Sequence, residues 1–151
     1  MKTLFKICAA VLAVVAVLSM GGCSARTPIT ADEFTKQAKA AGFTVTEGTA
    51  PNADADKSLS AVKAEAGTQL IFMSFKTDAA AESMYTQVKS SISSGTTGVS
   101  STLDSATYSK YTLTVGELNH TLARMGSTIV YGKATTSVKD QVDSFFKTIK
   151  Y

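Results

Sequence analysis

The sequence predicts an α+β domain, an antiparallel sheet of about five or six strands with three helices packed on it. Three observations predict it. Short runs rich in β-branched and aromatic residues recur between residues 43 and 134, punctuated by Gly67, Gly116 and Gly126. Only three stretches break that pattern with apolar residues at helical spacing. One strand, Leu70 to Phe75, is apolar on both faces, which places it centrally in a sheet covered at least partly on both sides.

The first helix is announced by Thr30-Ala31-Asp32-Glu33, a capping box, with Ile29 and Phe34 at the two hydrophobic-staple positions. Phe34, Ala38 and Ala41 follow at helical spacing, and Gly42 stops it. So short and weakly apolar a helix needs the sheet to hold it. Phe43 to Thr46 reads as a strand, and Glu47 to Ser58 as a polar loop. Leu59 to Ala66 and Thr68 to Lys76 form two strands around a turn at Gly67. Thr77 or Asp78 caps a second helix, whose stripe is Ala81, Tyr85, Val88 and Ile92. Ser93 to Thr102, almost entirely Ser, Thr and Gly, reads as a loop too poor in apolar groups to pack. Thr107 to Val115 returns to strand, Gly116 to Asn119 turns, and Thr121 to Met125 pairs with Thr128 to Ala134 around Gly126. The last helix runs from about Ser137 to Ile149, with Val138, Val142, Phe145 and Ile149 repeating the spacing of the second.

An internal echo runs through these elements. Ala64 to Phe72 matches Ala123 to Tyr131 in residue type at most positions, and each copy leads to a helix of the same stripe. Two readings stand side by side: a duplicated βββα unit preceded by one extra helix, and two unrelated glycine-centred hairpins that happen to look alike.

The first 22 residues have a different character. Lys2 and Lys6 flank a positive start, and Ile7 to Leu18 is an unbroken apolar run, shorter than the roughly 20 residues a spanning helix needs. The segment Leu18-Ser19-Met20-Gly21-Gly22-Cys23 resembles the bacterial lipobox, with Met20 where Leu is commoner. That resemblance implies diacylglycerylation of the Cys23 thiol, cleavage between Gly22 and Cys23, and a cysteine that carries diacylglycerol and fatty acid. It divides the chain into a leader, 1–22, a lipidated cysteine with a short tether, 23–29, and a single α+β domain, 30–151. Two or three acyl chains, at about 0.8 kcal/mol per buried CH2, anchor a protein stably. The expected location is the extracytoplasmic face of the cell membrane. In a two-membrane bacterium the outer membrane is expected, because Ser24 replaces the aspartate that retains such proteins at the inner one.

Processing also changes the composition. The whole chain has a formal charge of +3 and two cysteines, Cys8 and Cys23. Without the leader, 13 basic residues face 12 acids and no free thiol pair remains for a disulfide or a zinc knuckle. Two arginines and near neutrality exclude a strong phosphate-neutralising face, so nucleic acid is not an expected partner.

Catalytic constellations are sparse. His120 is the single histidine, and it sits at the mouth of a hairpin where a polar residue is expected anyway. Asn52, Asp54 and Asp56 have calcium-loop spacing, but Lys57 stands where Gly is required and Lys63 where a closing Glu belongs, so no metal is expected. Glu65 and Glu117 lie in or beside turns and form no evident carboxylate pair. No glycine-rich phosphate loop or nucleophile elbow occurs, and no cofactor is expected. Tyr108, Tyr111 and Tyr131 are the candidate binding surface. Alternation sets Tyr108 opposite to Tyr111, so one of them should point away from the core; a cross-strand pair stabilising the sheet is the competing explanation.

The lipobox, the Thr30 to Phe34 helix opening, the Tyr108 to Leu113 strand, the Arg124-x-Gly126 hairpin and the closing Lys150-Tyr151 together resemble small lipoproteins of Gram-positive gut bacteria. The resemblance implies location and fold type and transfers no active site. The expectation is a membrane-anchored, non-enzymatic binding or accessory domain for a protein or small-molecule ligand. Its rivals are a small cell-envelope hydrolase and a subunit of an envelope complex.

Overall fold

The computed structural model describes residues 26–63 and 67–151. The leader, Gly22, Cys23 and Glu65 lie outside the described residues. The elements run α1 (Ala31–Ala40), β1 (Thr44–Glu47), β2 (Ala55–Lys63), β3 (Thr68–Phe75), α2 (Asp78–Ser93), β4 (Val99–Asp104), β5 (Tyr108–Val115), β6 (Leu118–Met125), β7 (Thr128–Thr135) and α3 (Lys139–Thr148), the last entered through a 3-10 turn at Thr136–Val138. All strand pairs are antiparallel, in the order β1-β2-β3-β7-β6-β5-β4. The α+β architecture stands as expected, and the strand count is corrected from five or six to seven. Among the described residues no helix is long and apolar enough to cross a membrane.

The additional strand is β4, in the stretch expected to be a loop. All six of its residues are exposed. Its pairing with β5 is made by backbone, so it needs no apolar side chains, which is why composition hid it. Its approach depends on Gly98, where a Cβ would sit 2.3 Å from the Thr114 carbonyl oxygen. Two boundaries also move. β2 begins at Ala55, inside the expected polar loop, beyond a register shift between Ala55 and Lys57. Leu118 and Asn119 belong to β6, so the turn there is tighter than expected and rests on Gly116 at φ +56°.

Both faces of the sheet are covered. On one, α1 and α3 bring Phe34, Ala38, Val142, Phe145 and Phe146 against Leu59, Leu70, Phe72, Ala123 and Val130. On the other, α2 lays Ala81, Met84 and Tyr85 over Met73, Phe75, Tyr111, Leu113, Leu122 and Ile129. β3 divides its side chains between the two, as its doubly apolar sequence predicts. Thr30 and Thr77 cap α1 and α2, accepting from the backbone N–H of Glu33 at 3.2 Å and of Ala80 at 3.1 Å.

Gly132 sets how closely α3 approaches. A Cβ there would stand 2.5 Å from Val142 Cγ1 and 2.9 Å from Phe146 Cε2. Gly132→Ala should therefore overpack the core and lower stability by about 1–3 kcal/mol, read as a fall in the urea midpoint at unchanged slope.

The two halves are not copies of one unit. From β3 to β7 the strand direction reverses, since the pair is antiparallel. The covering helix changes face, α2 on one side and α3 on the other. The lateral order also reverses, with β2 to one side of β3 and β6 to the other side of β7. Three reversals together amount to an inversion, and no rotation produces one. The sequence echo therefore reflects two similar glycine-centred hairpins, and the duplicated βββα unit is set aside.

Candidate functional site

The three candidate tyrosines do not share a surface. Tyr108 faces α1 and α3, whereas Tyr111 and Tyr131 face α2. Tyr108 and Tyr111 are both buried, because helices cover both faces, so neither points away from the core. Each carries a cation on its ring: Arg26 at 4.4 Å from Tyr108 and Lys89 at 5.1 Å from Tyr111. Tyr131 is half-buried and joins His120 through a 2.7 Å contact between its hydroxyl and Nδ1. Burial pushes the Tyr131 phenol up to about 12, so it keeps its proton in this contact, and the tautomer of the imidazole sets which partner donates.

Burial, aided by Lys133, holds the His120 pKa below its ordinary value of 6.5. The unfolded chain therefore takes up this proton first as pH falls. Stability should decline from about pH 6.5 down to the lowered folded value, and His120→Gln should remove that part of the decline in urea midpoints compared at pH 7.5 and 5.

The acidic turn closes on itself. Asp54 N–H donates to Asn52 Oδ1 at 3.0 Å, and Lys76 donates from its ammonium to the Ala53 carbonyl at 2.8 Å and from its backbone to that of Asp54 at 3.0 Å. Among the described residues no group of three His, Cys, Asp or Glu side chains is placed to hold a metal.

The chain entering α1 is tied down by the chain leaving α3. Tyr151 is buried; its hydroxyl accepts from Ile29 N–H at 3.1 Å and is hydrogen-bonded to Thr128. Residues 26–30 thus lie as a strap against the domain. Clefts of about 770 Å3 along this strap and about 530 Å3 between α1 and α3 contain none of the unpartnered buried polar atoms found among the described residues.

Those atoms point elsewhere. There are three, Tyr85 Oη, Arg124 Nε and Asn119 Nδ2, and the residues that carry the first two, Tyr85 and Arg124, are among those lining one cleft of about 700 Å3 between α2 and the β4-β5 turn. Arg124 is 3% exposed. It stands on the α2 side of β6, opposite Ser109 of β5. Its terminal nitrogens make only long contacts, 3.4 Å to the carbonyls of Gly126 and Ala106 and 3.5 Å to Ser109 Oγ. Among the described residues no carboxylate pairs with it. A buried guanidinium held by long contacts to neutral groups has given up hydration with little in return. Burial and the nearby charge of Asp104 push the Tyr85 phenol far up, so it remains a neutral donor. The rim carries Glu82, Ser90 and Ser105, with Lys89 3.9 Å from Asp104. Deep donors therefore meet a rim of mixed charge.

Sequence reading missed this pair. It placed Tyr85 in a core stripe and Arg124 in a hairpin. The available signal was an arginine inside the run Leu122 to Met125, where every neighbour is apolar. A charge in such a strand is either a buried pair or a site.

No family model and no curated protein matches the chain. Among solved structures, a GTP-binding regulator from Thermotoga maritima is similar in fold, with a TM-score of 0.51 and 12% identity over 79% of this chain and 86% of that one.

Proposed function

We propose that the chain is a lipid-anchored, extracytoplasmic, non-enzymatic binding domain, and that the cleft under α2 receives the carboxylate of a small ligand. The observation that carries the binding reading is Arg124, buried beside the cleft and lacking a carboxylate of its own among the described residues. A ligand carboxylate supplies the missing charge and can accept from the guanidinium and from Tyr85. The lining favours a single negative charge. Lys89 and Asp104 offset each other, and Glu82 stands at the rim, so a dianion would be repelled on entry. The same argument weighs against a nucleoside triphosphate, the ligand class named for the regulator of similar fold.

Two experiments test the two parts. Metabolic labelling with a fatty acid should mark the wild-type chain and leave Cys23→Ala unlabelled; an unlabelled wild-type protein released to the medium overturns the anchor. In a thermal-shift series of small monocarboxylates against their amides, the acids should raise the melting temperature and the amides should not. Equal responses from acid and amide overturn the site.

A further inference from the structure

We infer that β4 is a pairing edge for a second copy of this chain, joined antiparallel about a two-fold axis through Ser101. Edge strands are ordinarily blunted by shortness, charge, proline or a bulge. The opposite edge, β1, is four residues long and ends in Glu47, paired with Lys57. β4 has none of these devices along its length. Its register with β5 is unbroken from Val99↔Thr114 to Asp104↔Ser109, it has no proline or lysine, and its single charge is at its end.

The exposed apolar residues match the same axis. Val62, Val99 and Leu103 are the exposed large hydrophobics among the described residues, and Val99 and Leu103 are 80% and 57% exposed. Both lie on the α1/α3 side of β4, since they pair with Thr114 and Lys110 in the register that carries Tyr108 on that side. A two-fold axis normal to the sheet at Ser101 sets Val99 opposite Leu103 of the second copy and Leu103 opposite its Val99. Ser100 then meets Thr102 on the other face.

Backbone polarity agrees with that register. Ser105 N–H donates to the Tyr108 carbonyl at 2.7 Å. Hydrogen-bonded pairs alternate along an antiparallel ladder. Leu103, Ser101 and Val99 therefore point their backbone groups at β5, and Ser100, Thr102 and Asp104 point theirs outward. In the two-fold register the outward groups of Ser100 meet those of Thr102 in the other copy. Val99 and Leu103 fall in the non-hydrogen-bonded pairs, where side chains approach most closely. The axis also preserves faces. Arg26 lies over Tyr108 on the α1/α3 side, so the two N-terminal straps leave the dimer on the same side, as two anchors in one bilayer require.

The test uses the full exported chain in its membranes. Ser101→Cys lies on the axis and should give a disulfide-linked dimer of twice the mass on mild oxidation, absent from wild type. Ser100→Cys, one residue off the axis on each strand and so two residues out of register with its own copy, should cross-link at least fivefold less. Adding Thr102→Pro to Ser101→Cys removes an outward N–H while sparing the ladder to β5, and should reduce the dimer at least tenfold with circular dichroism unchanged. A folded Ser101→Cys chain that stays monomeric overturns the proposal. So do equal cross-linking at positions 100 and 101 and an adduct of another mass, which would identify a different occupant of the edge.

Discussion

Phe146→Ala is expected to lower the free energy of unfolding by about 3–5 kcal/mol, a large share of the 5–15 kcal/mol that holds a typical domain folded. Phe146 has no exposed surface and enters the sheet over the bare backbone of Gly132. Its ring stands edge-on to Phe145 at 6.4 Å, and Lys110 Nζ lies 5.3 Å above it. Its carbonyl accepts from Tyr151 N–H at 2.9 Å, the bond that turns the chain end back into the core. Truncation leaves a cavity that the helix cannot close by sinking, because Val142 already rests on Gly132. Phe146→Leu keeps most of the volume and should cost clearly less. Equilibrium urea unfolding of the two variants checks the order; a loss below about 1 kcal/mol for alanine would mean that α3 is not fixed by this contact.

How far the sequence could be read follows from what each element uses to hold itself. β3 and the three helices are held by side chains, so spacing alone located them, down to Val142 and Phe145 of α3 and Ala81 and Tyr85 of α2. β4 is held by backbone and by the space at Gly98, neither of which leaves a hydrophobic period. The start of β2 at Ala55 was hidden in the same way by a register shift. The echo between the hairpins was legible, but its meaning was not. Residue type at a fixed offset says nothing about which face a helix returns to, and the faces decide against duplication.

The candidate site divides along the same line. Alternation correctly opposed Tyr108 to Tyr111, yet exposure depends on what covers each face, and both faces are covered. Arg124 and Tyr85 are 39 positions apart in sequence and on different elements. Their shared lack of partners appears only when α2 is laid across β6. The expected leader lies outside the described residues, and its signal is compositional, carried by the first 23 residues.

Arg124→Met should weaken carboxylate binding at least roughly thirtyfold while leaving the fold as stable or more so. The two outcomes are linked by one physical argument. A buried charge with weak partners is costly, and an apolar side chain of similar volume removes that cost. Arg124 has 3.4 and 3.5 Å contacts to neutral groups and nothing stronger among the described residues. Methionine should therefore be tolerated beside Tyr85 and Leu122. The ligand loses its counter-charge, a change of about 2–5 kcal/mol or at least roughly thirtyfold in Kd. Arg124→Lys keeps the charge without the planar fork and should fall between the two. Calorimetric titration with the best-binding monocarboxylate gives the affinities, and urea unfolding without ligand gives the stabilities. If the guanidinium instead serves to hold the Ala106 and Gly126 turns together, the pattern inverts. Arg124→Met would then destabilise the fold by several kcal/mol, and the surviving folded fraction would bind carboxylates and amides alike. A residue kept at the expense of stability is the mark of a site, and the sign of that one stability change separates the two roles.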